Sequence, residues 1–189
     1  MWVDLLLLAN LTGQPAHGYE LRRRVEQNSG YALSNNSLYP ALRRFYDAGA
    51  VTRTAVESQG APARHVYAIT DVGRELLHDM LAELPDELAA DEAEFLSRVG
   101  HFERLTPAER FGVLDARERA ITARRARIQA LARSAADASR NRWGLLVLDE
   151  LLRRSHAEEH WIATVRGSAA TAPTAPPACS PPPSEEDAR

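Results

Sequence analysis

The sequence contains no lysine: all 23 of its basic residues are arginine. That absence reflects codon usage in a GC-rich genome and excludes nothing about function. Cysteine is nearly absent too. The single one, Cys179, rules out a disulfide framework within the chain and any zinc site built on thiolates. No apolar run approaches the ~20 residues that cross a bilayer. The stretch "VDLLLLANL" (3–11) lacks the basic region and the length of a signal peptide. A cytoplasmic protein without a membrane segment is therefore expected. No Ser/His/Asp or Cys/His constellation and no phosphate-cradling glycine loop occurs, so neither catalysis nor a cofactor is expected.

What is present is ordinary for a globular chain: 189 residues, 44% hydrophobic and 26% charged. The net charge of −3 is unevenly spread. Residues 17–67 hold seven arginines against four acids, residues 83–95 hold six acids and no base, and residues 98–166 hold fourteen arginines against nine acids. Local positive charge of this kind suits nucleic acid, although the overall balance is silent.

The segment "SLYPALRRFYDAGAV" (37–51) predicts a helix. With Asn36 or Ser37 as N-cap, Pro40 falls in the first turn, where no backbone N–H is required. Gly49 suits a left-handed C-terminal cap. Leu38, Leu42 and Phe45 form the buried stripe. The opposite face carries Asn36, Pro40, Arg43, Arg44 and Asp47, flanked by Tyr39 and Tyr46. Such a face serves either a major-groove reading helix, where Asn and Arg bond base edges in pairs, or plain solvation.

Around it, short helices are expected over 3–11 and 19–27, with turns at 12–18 and 28–36. Residues 51–57 are rich in β-branched side chains and residues 64–70 alternate, two strands about the turn "SQGAPA", with Tyr67 and Ile69 in the core of the hairpin. Three helices followed by a hairpin make a winged helix-turn-helix. Thr70 starts a fourth helix with the stripe Val72, Leu76, Leu77, Met80, Leu81 and Leu84, ended by Pro85. Residues 86–105 read as helical, with Leu88, Phe95, Val99 and Phe102 on one side. "TPAE" (106–109) is a capping box opening a helix to about residue 139, in which Leu114, Ile121 and Ile128 recur every seven residues. A last helix runs from Trp143 to about Val165, and residues 167–189 are Pro/Ala-rich and expected to be disordered. The fold class is mainly α with a small β-hairpin wing: a winged helix-turn-helix unit over 1–84, a helical unit over 85–166, and a tail over 167–189.

"AHGYEL" (16–21), "NSLYPALRRFYDAGAV" (36–51) and "RHVYAITDVGRELL" (64–77) resemble, in order, spacing and wording, the PadR family of bacterial transcriptional regulators. The helical remainder resembles the dimerising domain of its longer members. The resemblance implies a homodimeric repressor on double-stranded operator DNA, released by a small-molecule effector. Carried over, helix 37–48 enters the major groove, led by Ser34, Asn35, Asn36 and Ser37. Tyr39, Arg43 and Arg44 face the DNA, Tyr19 sits beside a phosphate, and Arg64 with His65 lies on the wing. The wing tip lacks the basic density usual in the family.

Three further features stay open at this level. Phe102, Trp143 and Trp161 either line an effector pocket or anchor packing. "HAEEH" places His156 and His160 one turn apart, the spacing for a shared zinc ion, but a third ligand is wanting and a solvated face is expected instead. The "RRR" at 22–24 either touches phosphates or is a charged outer face. The alternative function is a winged helix that binds another protein and shows no sequence preference for DNA.

Overall fold

The computed structural model describes residues 2–58, 61–137 and 142–170. In chain order these form α1 (Trp2–Leu11), β1 (Ala16–His17), α2 (Gly18–Ser29), α3 (Asn35–Asp47), β2 (Val51–Ser58), β3 (Ala61–Ile69), α4 (Asp71–Ala82), α5 (Glu92–Val99), a 3-10 turn (Phe102–Arg104), α6 (Pro107–Asp137) and α7 (Arg142–Ala169). The architecture is mostly helical with one small antiparallel sheet, as the patterning predicts.

The sheet has three strands in the order β1-β3-β2. β2 and β3 form the expected hairpin, with Val51 opposite Ile69 and Ala55 opposite His65. The third strand corrects the reading of 12–18 as turn throughout: Ala16 pairs with Tyr67 and His17 with Val66. Two residues carry no alternation to read, and their strand character comes from a partner some fifty residues away in sequence.

α3 begins earlier than its hydrophobic stripe suggests. Ser34 is the N-cap, its Oγ accepting from the Ser37 amide at 3.2 Å, so Pro40 lies inside the helix and not in its first turn. The cost is one missing backbone bond to the Asn36 carbonyl, on the exposed side of the helix. The other end follows expectation. Gly49 has φ +71° and donates to the Tyr46 carbonyl, while Ala50 donates to that of Phe45, a Schellman termination.

Three more boundaries move. Val72 is 55% exposed, outside the expected stripe, because Gly73 beside it is the residue that presses on the sheet. Residues 86–105 are not one helix: Asp91 caps a fresh start with bonds to the amides of Ala93 and Glu94, and turns precede it. α7 continues through Gly167 to Ala169, past the expected start of the tail. Ala169 is buried, and its carbonyl accepts from the Arg110 guanidinium at 3.2 Å, which holds the final turn. Residues 59–60 at the expected wing turn, residues 138–141, which hold the expected helix end at about 139, and the tail from 171, Cys179 included, lie outside the described residues.

Two apolar clusters form the interior. The first joins α1 (Leu5, Leu7, Leu8) with Leu21, Leu38, Leu42, Phe45, Tyr67, Leu77 and Leu81. The second joins Phe95, Val113, Leu114, Ile121 and Ile162 across α5, α6 and α7. Phe102 packs against both. A buried polar link also crosses between them. The Glu94 carboxylate accepts from the Trp2 amide at 2.5 Å and from the Arg98 guanidinium at 2.8 Å, and Arg98 donates on to the Glu83 carbonyl at 3.0 Å. Each buried charge is thereby both paired and hydrogen-bonded.

Candidate nucleic-acid interface

α2 and α3 pack through Leu21, Val25, Leu38 and Leu42, all fully buried, which turns the opposite face of α3 outward. On that face Asn35, Asn36, Ser37, Tyr39, Arg43 and Arg44 are exposed. They are not equally free. Ser34 and Ser37 engage each other through the N-cap, their hydroxyls 3.0 Å apart. The Asn35 amide oxygen accepts from Arg22 at 3.3 Å. Arg43 stands with its side chain 85% exposed, 3.8 Å from Asp47. Arg44 instead donates to the Asp4 carboxylate of α1 at 2.7 Å, which ties α3 to α1. Tyr46 lies under the Arg53 guanidinium of β2, 4.9 Å from ring centroid to carbon, so the far end of α3 is stacked on the wing.

Beside α3 opens a depression of about 630 Å³ floored by Tyr67 and walled by His17, Tyr19, Tyr39, Arg64 and His65. Burial holds the Tyr67 phenol above its ordinary pKa, against the pull of Arg53, so it stays a neutral donor. Gly18 makes room for the wall: a Cβ there would meet Tyr39 at 3.0 Å from Cε1. Sequence reasoning placed Tyr19, Tyr39, Arg64 and His65 near DNA, and the fold brings all four to one concavity. It missed His17, whose Nδ1 donates to the His65 carbonyl at 3.1 Å. Only the β1–β3 pairing reveals that contact.

The aromatics considered for an effector are scattered. Trp143 is 75% exposed at the start of α7, and Phe102 sits between the two clusters. Trp161 stands edge-on to Phe95 at 5.9 Å beside a groove of about 510 Å³ edged by Arg117, Arg153 and Arg154. Those arginines are engaged. Arg117 bonds Glu158 and the Ala89 carbonyl, while Arg153 and Arg154 share Glu150, holding its carboxyl down to about 2. A separate cavity of about 420 Å³ lies where α1 and α2 meet α5, and there Ser97 Oγ is buried without a hydrogen-bond partner among the described residues. His156 and His160 are exposed, and among the described residues no three metal-ligating side chains gather. No described helix is long and apolar enough to cross a membrane.

A three-helix core, an outward helix and a β-hairpin beside it define a winged helix-turn-helix unit. Residues 7–79 match the model of the transcriptional regulator PadR-like family, and this segment of the chain belongs to that family. The chain is similar to the probable transcriptional regulator Rv1176c of Mycobacterium tuberculosis, 37% identical over 79 residues that make up 41% of this chain and 42% of that protein. It thus spans less than half the length of that relative. Among solved structures it is similar to Bacillus subtilis PadR in complex with operator DNA, at 19% identity over 88% of this chain and 96% of that one, TM-score 0.40. It is also similar to a PadR family transcription regulator from Clostridium difficile, at 24% identity over 42% of this chain and 82% of that one, TM-score 0.38.

Proposed function

We propose that the protein is an effector-responsive transcriptional repressor, cytoplasmic and without catalytic activity, that binds a dyad-symmetric operator as a homodimer. The observation that carries this reading is the open face of α3, with Asn36, Tyr39 and Arg43 projecting next to the depression walled by Tyr19, Arg64 and His65. With α3 in the major groove, Arg43 pairs with a guanine edge and Asn36 with an adenine, while the depression receives the adjoining phosphate backbone. Asn35, held by Arg22, and Ser34 and Ser37, held by each other, set the register of the helix start against the DNA. Two copies reading successive major grooves place their α3 helices ~34 Å apart.

The effector reading draws on the cavity between α1, α2 and α5. An unpaired buried hydroxyl costs about 1–3 kcal/mol, and a small ligand with a hydrogen-bonding group removes that cost by partnering Ser97. The same ligand touches Asn10 of α1, so its binding is coupled to the body that carries α3. Repression is then relieved by a shift between the winged unit and the helical one.

Fluorescence anisotropy on the DNA upstream of the protein's own gene, against a scrambled duplex over a salt series, tests the reading. A steep salt slope with a preference of roughly 10³ or more for the native fragment is expected. Weak, equal binding to both duplexes sinks it and favours a winged helix directed to protein partners.

A further inference from the structure

His17 stands at the N-terminus of α2 with its ring held by a single hydrogen bond, from Nδ1 to the His65 carbonyl at 3.1 Å. A carbonyl oxygen only accepts, so in the neutral ring the hydrogen sits on Nδ1. The other nitrogen, Nε2, then carries a bare lone pair, and no described residue bonds it. The ring lines the depression beside α3. An anionic oxygen entering there finds donors in Tyr19, Tyr39 and Arg64. At Nε2 it meets a lone pair, which repels it, unless the ring takes up a proton.

Every charged or titratable side chain lining this depression bears on that proton. β3 contributes Arg64, His65 and Tyr67; α2 contributes Tyr19 and Glu20; α3 contributes Tyr39. Glu20 is already engaged by Arg24, so its charge is directed away from the ring. A phosphate in the depression favours positive charge on Arg64 and on a protonated His17 at once.

We propose that His17 is a proton-gated phosphate ligand: DNA docks with one backbone phosphodiester in this depression, and His17 takes up a proton at Nε2 as it does. The inference rests on the reading of the chain as a DNA-binding protein. It makes affinity rise as pH falls through the range in which imidazoles gain charge, between about pH 8 and about pH 6.

The test is anisotropy on a labelled duplex from upstream of the gene, across that pH range at constant ionic strength. The wild-type protein should bind up to roughly tenfold tighter per pH unit for each His17 that takes up a proton, hence up to roughly a hundredfold per pH unit on a duplex that holds both copies. His17→Asn keeps an amide donor where Nδ1 stands and places nothing at Nε2, so its binding should be weak and flat with pH. His17→Gln carries a permanent donor to the Nε2 position, so its binding should be tight and equally flat. Thermal melts of each variant at both pH limits separate folding from binding. Persistence of the wild-type slope in folded His17→Asn, or its loss on His65→Gln instead, overturns the proposal. Tight, specific wild-type binding that is flat with pH overturns it alone. Failure to prefer the native duplex at any pH overturns the DNA reading, and this inference falls with it.

Discussion

Arg43 and Arg44 are adjacent in the chain, yet Arg43 ends in solvent near Asp47 and Arg44 reaches back to Asp4 of α1. Their substitutions should therefore differ. Arg43→Ala removes a free bidentate donor and should reduce the preference for native over scrambled DNA by roughly tenfold or more, the scale of one lost base contact. Arg44→Ala should leave that preference nearly intact. It breaks one exposed ion pair between α3 and α1, of at most about 1 kcal/mol, which a thermal melt and not a binding ratio would register. Anisotropy on both duplexes with both variants separates the two roles. Gly18 gives a second prediction of the same kind. A methyl group there must displace the Tyr39 ring, since it would lie 3.0 Å from Cε1 and 3.3 Å from the hydroxyl. Gly18→Ala should weaken DNA binding severalfold, on native and scrambled duplexes alike, because the proposed function puts Tyr39 against a phosphate and not a base. Its melting temperature should barely move, since the displaced ring is half-exposed.

At the scale of elements, the joint between α3, β2 and α4 is the tightest in the winged unit. Thr70 caps α4 through Gly73, its hydroxyl donates to the Gly49 carbonyl at 2.7 Å, and its amide donates to that of Ala50. A Cβ on Gly73 would stand 2.1 Å from the same Ala50 oxygen, which is main chain and cannot rotate away. Gly73→Ala should destabilise the fold by about 2–4 kcal/mol despite the better helix propensity of alanine, and a denaturant titration would show it. The capping box of α6 gives a pH prediction. Bonds from the Thr106 amide and hydroxyl, then the neighbouring His78, hold the Glu109 carboxyl below its ordinary pKa. A depressed carboxylate stabilises the fold fully above its unfolded value, here 4.5, and less as pH falls below it. The melting temperature of wild type should thus fall faster than that of Glu109→Gln as pH drops from about 5 to about 3. Much of this was legible in the chain. Thr70 and "TPAE" are local signals, and Leu114, Ile121 and Ile128 are buried as their spacing predicts. Four of the wing and helix residues expected near DNA share one concavity for the same reason, since their motifs fix the elements that carry them. What was not legible depends on distant partners. The strand at Ala16–His17 exists because β3 is there, Ser34 outcompetes Asn36 as cap by reaching the Ser37 amide, and Arg44 finds an acid forty residues upstream.

At the scale of the whole molecule, an apolar helix face lies open among the described residues. Trp143, Leu146 and Val147 share a face at the start of α7 by their i, i+3, i+4 spacing, and all three are exposed, as are Leu145 and Leu131 near the end of α6. Elsewhere the same two helices are sealed, with Leu114, Ile121 and Ile162 fully or almost fully buried between them. Away from this stretch the charges of the pair are matched within the chain, Arg125 by Glu159 and Arg166 by Asp115 and Glu118. Exposed apolar side chains grouped on one helix face are characteristic of an interface. A second copy of the chain is the occupant that the proposed operator requires, because a single α3 reads too few base edges for a unique site. Leu146→Asp with Val147→Asp should convert the dimer to a monomer in sedimentation while leaving the melt of the winged unit unchanged, since neither side chain belongs to a core cluster. Affinity for a duplex carrying both half-sites should then fall by roughly a hundredfold or more, the loss of bivalent attachment, while binding to a single half-site stays as it was. A double variant that still sediments as a dimer would place the contact elsewhere. Were the two duplexes to weaken together, the apolar face would be acting on the fold of the reading head and not on its pairing.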